Sequence, residues 1–127
     1  MKILLIDDDE LNQKLTRTLL ETEGYTVLQA LDAESGLKMT REHLPDLILM
    51  DIELPNMDGL SATRIIKNDP GITHIPIVAL TASAMVGDEP KAIDAGCSGY
   101  ITKPFDIYTL VNSIRNVLRT HSGEMKN

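Results

Sequence analysis

The sequence predicts an α/β domain in which five strands alternate with five helices, the strands forming one parallel sheet covered on both faces. Three observations predict it. Short apolar runs rich in β-branched residues alternate with longer segments of helical period. Three of these runs are apolar almost throughout, as expected of central strands buried on both faces. The stretches between strands are long enough to hold the helix that a parallel crossover needs, and right-handed crossovers then stack the elements as a three-layer sandwich.

Taken in order, "KILLID" (2–7) is the first strand, and a helix follows because Leu11, Leu15 and Leu19 recur every four residues. "YTVLQA" (25–30) is the second strand, and Ala33, Leu37, Thr40 and Leu44, spaced by four, three and four, mark the second helix. "DLILMD" (46–51) is the third strand; Gly59 serves the turn before a shorter helix over 59–68. "IPIVALT" (75–81) is the fourth. Its helix, about 88–95, should start near Asp88, because Pro90 is tolerated in a first turn and not in a helix interior. After the fifth strand, "GYITK" (99–103), Ile107, Leu110, Val111, Ile114, Val117 and Leu118 form one stripe of a last helix, which Asp106 is placed to cap. With no repeat or linker, residues 1–120 read as one domain and "HSGEMKN" (121–127) as a flexible tail.

Composition narrows the functional classes. At 127 residues, 43% hydrophobic and 24% charged, the chain has the balance of an ordinary soluble domain with a core of its own. Its 12 Lys and Arg stand against 19 Asp and Glu, a net charge of -7, and no basic cluster interleaves with aromatics, which disfavours direct nucleic-acid binding. No apolar run approaches the roughly 20 residues that span a bilayer, and "MKILLID" lacks the core and cleavage site of a signal peptide, so a cytoplasmic protein without membrane contact is expected. The single cysteine, Cys97, fits a reducing compartment and reads as a small core residue.

In an open α/β sheet, ligands bind beyond the carboxyl ends of the strands. There the first strand ends at Asp7, Asp8 and Asp9, the third at Asp51, the fourth at Thr81 and the fifth at Lys103. Two carboxylates about 4 Å apart repel by roughly 4 kcal/mol at an effective dielectric of 20. Asp9 and Glu10 have a simple explanation, as acids that favour the positive end of the first helix. Capping does not explain Asp7 and Asp8 together with an acid at the end of another strand. A hard divalent cation does, with Mg²⁺ the first candidate and Mn²⁺ the second. Asp51 could then attack phosphorus, Lys103 pair with the phosphoryl oxygens and Thr81 donate a hydrogen bond, which is the positioning and charge neutralisation that phosphoryl transfer needs.

The strings "LLIDDDELN", "PDLILMDIELPNMDGL", "IPIVALTASA" and "GCSGYITKPF" resemble, in order and spacing, the receiver domains of two-component response regulators, the CheY-like family, over roughly residues 2–120. "DDDELN" and "TASAM" are closer in kind to DivK-like and hybrid-kinase receivers than to chemotaxis ones. The resemblance implies a flavodoxin-like sheet in the order 2-1-3-4-5. It implies that Asp51 is the phosphoacceptor, and that Mg²⁺ is held by the Asp8 and Asp51 carboxylates, the Glu53 backbone carbonyl and, through water, Asp7. Lys103 would bridge to the phosphate from a cis peptide with Pro104. Thr81 would turn to the phosphoryl group and Tyr100 would be the switch aromatic, though Tyr100 also reads as an ordinary half-buried edge-strand residue.

Asp9 and Pro90 depart from the family's commoner pattern, the first near the metal and the second in the helix of the usual output surface. The implied partners are a sensor histidine kinase or a histidine phosphotransfer protein, and a downstream effector protein. Because the receiver pattern nearly consumes the chain, output is expected to pass through another molecule. The implied role is regulatory, with no catalysis beyond the domain's own phosphotransfer and slow autodephosphorylation. Two other readings compete. A phosphatase of the haloacid dehalogenase type would need a second Asp two residues after the nucleophile, where Glu53 stands. A receiver-like interaction module would make no use of phosphorylation.

Overall fold

In the computed structural model, residues 1–82 and 87–123 are described. The elements are β1 (Lys2–Ile6), α1 (Glu10–Thr22), β2 (Thr26–Ala30), α2 (Ala33–His43), β3 (Leu47–Asp51), α3 (Gly59–Lys67), β4 (Ile77–Thr81), α4 (Asp88–Ala95), β5 (Gly99–Thr102) and α5 (Ile107–Gly123). All strand pairings are parallel and the order is β2-β1-β3-β4-β5, the architecture expected from the sequence. The first three residues of the expected tail lie within α5, and 124–127 fall outside the described residues.

Strand alternation builds a core on each face of the sheet. Leu4, Ile6, Ile48, Met50, Ile77 and Ala79 pack one face against Ala33 and Leu37 of α2, Ala62 and Ile66 of α3 and Ala92 of α4. Their neighbours in sequence, Ile3, Leu5, Leu47, Leu49, Val78 and Leu80, pack the other against Leu20 of α1 and Leu110, Ile114 and Val117 of α5. Each Leu, Ile, Val or Met side chain among them contributes about 1.5–3 kcal/mol on burial. Cys97 is a buried free thiol in the first of these layers, as expected.

Local signals set the boundaries. β4 begins at Ile77, later than the apolar run, because Pro76 has no N–H to give the ladder. Asp9, Asp32 and Asp58 cap α1, α2 and α3 with side-chain oxygens, and Thr109 N–H donates to Asp106 Oδ1 at 2.7 Å at the start of α5. Pro90 lies in the first turn of α4, whose start at Asp88 is where the sequence places it. Leu44 does not continue the α2 stripe. It is a left-handed C-cap at φ 46°, because Pro45 disfavours a helical residue before it.

α1 forms where its leucines predict, yet those leucines are not its buried face. Leu11, Leu15 and Leu19 are 65%, 57% and 37% exposed, while Gln13, Thr16 and Leu20 face the sheet. The physical reason is polar. Gln13 Nε2 donates to the carbonyl of Asp7 at 2.8 Å and to that of Ala30, and Gln13 Oε1 accepts from Gln29, so the amide closes backbone groups at the ends of β1 and β2.

Candidate functional site

The sheet register sets the geometry of the edge. Ile6 pairs with Met50, Asp51 with Leu80 and Thr81 with Thr102, so the residues at these strand ends meet side by side. β1 and β3 are also the neighbours between which the chain changes direction across the sheet, the place where open α/β sheets hold ligands.

Asp7, Asp8 and Asp51 bring carboxylate oxygens within 4.8 Å of one another. Asp7 and Asp51 are only 2% and 3% exposed, and Asp8 faces solvent. Lys103 Nζ reaches between the two buried acids, 3.1 Å from Asp7 Oδ2 and 3.1 Å from Asp51 Oδ2. The other oxygens take backbone donors: Asp9 N–H to Asp7 Oδ1 at 2.9 Å, and Glu53 N–H to Asp51 Oδ1 at 3.0 Å. Lys103 precedes a cis peptide with Pro104, and its N–H donates to the Thr81 carbonyl at 2.7 Å.

The charges are unevenly matched, with one ammonium among three carboxylates. Burial pushes the Asp51 carboxyl up, to about 7; Lys103 pulls the other way and the charge of Asp7 adds to the rise. Burial works against the Lys103 ammonium too, but Asp51 and Asp7 more than offset it and hold it above its ordinary value. Three hard oxygen donors with an excess of negative charge fit Mg²⁺, which takes carboxylates and keeps several waters. Asp9 lies outside this group. Its Oδ1 accepts from Leu11 and Asn12 N–H at 2.9 and 3.2 Å, the helix-capping role its sequence position predicts.

On the β4 side, buried Thr81 donates its hydroxyl to Glu53 Oε1 at 2.9 Å, and Ala82 N–H donates to the same oxygen at 3.0 Å. Burial opposes ionisation of Glu53, yet these donors hold its carboxyl below the usual glutamate value. Tyr100 is half-buried on β5; burial and then the charge of Asp88 push its phenol up, with Thr81 pulling the other way. The edge thus gathers Asp7, Asp8, Asp51, Glu53, Thr81, Tyr100 and Lys103.

Two groups were not legible beforehand. The sequence drew attention to the backbone of Glu53, and its carboxylate turns out to tie β3 to β4. Gln13 was hidden by the more conspicuous leucines. A polar residue at the position where a helix must face the sheet is the signal that could have found it. The exposed leucines line a groove of about 580 Å³ with Pro104 and Phe105, against Asp7 and Lys103.

Comparison with known proteins places the chain in context. The family profile described as "Response regulator receiver domain" matches residues 3–115. The polar-differentiation response regulator DivK of Brucella anthropi is 42% identical over 116 residues, covering 91% of this chain and 94% of that protein. Among solved structures, a CheY-like response regulator receiver domain protein from Methanospirillum hungatei superposes with a TM-score of 0.89 at 29% identity, covering 97% of each chain. The receiver domain of the sensor histidine kinase PA1611 from Pseudomonas aeruginosa, described with magnesium coordinated in its active-site cleft, gives 0.82 at 35% identity, covering 96% of this chain and 97% of that one.

Proposed function

Because the chain belongs to the response regulator receiver family, we propose that it is a phosphorylation-controlled switch whose phosphoacceptor is Asp51. The observation that carries this reading is the shared Lys103 between two buried acids at the strand ends, beside a third. A carboxylate oxygen of Asp51 attacks the phosphorus of a phosphohistidine on a sensor histidine kinase or a histidine phosphotransfer protein. The O–P bond forms as the N–P bond breaks, and the departing imidazole takes up a proton.

Asp8 and Asp51 through carboxylates, Glu53 through its carbonyl and Asp7 through water would hold Mg²⁺. When bound, Mg²⁺ supplies neutralisation of the charge on the transferred group. Lys103 pairs with the phosphoryl oxygens, and Thr81 turns its hydroxyl to them, with Tyr100 following. Phosphorylation replaces the single charge of the Asp51 carboxylate with the roughly -1.5 to -2 charges of the phosphoryl group, and the surface of α4, β5 and α5 shifts its population of states to favour a downstream protein.

The test is intact-mass spectrometry after incubation with a small phosphodonor and Mg²⁺. A single phosphoryl adduct that disappears in Asp51→Asn is expected. Absence of an adduct with every donor would leave an interaction module that does not use phosphorylation as the better reading.

A further inference from the structure

The side chain of Glu53 has a place in the site that its expected backbone role does not use. Its N–H is bonded to Asp51 Oδ1 at 3.0 Å, so the residue is tethered to the carboxyl that would be phosphorylated. From there its carboxylate reaches across to β4, where Oε1 accepts both the Thr81 hydroxyl at 2.9 Å and the Ala82 N–H at 3.0 Å. A threonine hydroxyl has one proton to donate. Thr81 cannot give it to Glu53 and to a phosphoryl oxygen on Asp51 at once.

We infer that Glu53 is a resting-state latch: its carboxylate, anchored on the Ala82 amide, holds the Thr81 hydroxyl in the unphosphorylated protein and competes with the phosphoryl group for that hydroxyl. The inference rests on the phosphoacceptor reading of Asp51. Phosphorylation releases the latch in two ways. The new oxygens compete for the hydroxyl, and their negative charge repels the neighbouring carboxylate. The ligand-bound arrangement therefore has to break a charge-assisted bond first, and its population is reduced by the corresponding factor. Glu53 is a positioning residue in this scheme, acting through Thr81.

The probe is beryllofluoride, a phosphoryl mimic, titrated at saturating Mg²⁺ into wild type, Glu53→Gln, Glu53→Ala, Thr81→Val and the double variant Glu53→Ala/Thr81→Val. Glu53→Ala should bind about tenfold more tightly than wild type, on the order expected for losing one hydrogen bond to a charged group. Glu53→Gln keeps an uncharged acceptor and should fall between them. In the Thr81→Val background, the gain from Glu53→Ala should shrink to what the removed charge alone supplies. An equal gain in both backgrounds would overturn the latch.

A readout free of substitutions at Thr81 comes from the Ala82 amide resonance of the wild type. It should move upfield when beryllofluoride binds, as the bond to the carboxylate breaks. Wild type that binds the probe with this resonance unmoved overturns the latch alone. Wild type that does not bind it overturns the latch together with the phosphoacceptor reading beneath it.

Discussion

At the scale of single residues, the site is a problem of charge. Asp7 and Asp51 are buried side by side, and among the described residues Lys103 is the cation paired with both. Lys103→Ala should therefore destabilise the protein in chelator by about 2 kcal/mol in urea unfolding, since breaking a buried pair strands the other charge. Added Mg²⁺ should reduce that loss. An unchanged urea midpoint would mean that the ammonium is dispensable to the resting site. The acids, Thr81 and Lys103 were legible in the sequence because strand ends in a parallel sheet converge on one edge whatever the details of packing. The Glu53 carboxylate was not, because a long exposed side chain takes its partners from tertiary geometry. Glu53 also stands where an Asp-nucleophile phosphatase would have its general acid, and here its carboxylate is engaged with Thr81 and Ala82.

At the scale of elements, caps and turns fix what the apolar periods only outline. Asp32 accepts the Ser35 N–H at 2.7 Å, and this bond holds its carboxyl below the ordinary aspartate range. A depressed folded pKa contributes stability that is present above the unfolded value and lost as pH falls through the folded one. Asp32→Ala should thus lower the urea midpoint at neutral pH, and the difference from wild type should vanish on acidification below the aspartate range. A difference that persisted in strong acid would assign the effect to packing. Gly59 illustrates a tighter constraint: a Cβ there would press on the Asp51 carbonyl oxygen and come 2.9 Å from Ile52 Cα, so α3 can begin this close to the site only without a side chain. α1 shows where period alone misleads. Its spacing located the helix but pointed to the wrong face, because Gln13 and Thr16 satisfy the sheet side while three leucines are left in solvent.

At the scale of the whole molecule, the alternation of parallel strands with helices and the two-faced core follow from hydrophobic pattern and crossover handedness, whereas the order of the strands was legible only through the resemblance to receiver domains. None of the helices among the described residues is long and apolar enough to cross a membrane. The fold places three carboxylates at its topological switch point, so metal binding and global stability should be linked. Mg²⁺ at a hundred times its dissociation constant adds about 2.7 kcal/mol if it binds the folded state alone. Thermal unfolding should show that gain in wild type and little of it in Asp8→Asn; an equal gain in both would place the ion elsewhere.

The most direct test of the central claim is to locate the phosphoryl group. Tandem mass spectrometry of protein treated with a small phosphodonor, in Mg²⁺ and in chelator, should find one adduct, on Asp51, formed only with the metal. An adduct on another residue, or one formed equally without Mg²⁺, would contradict it.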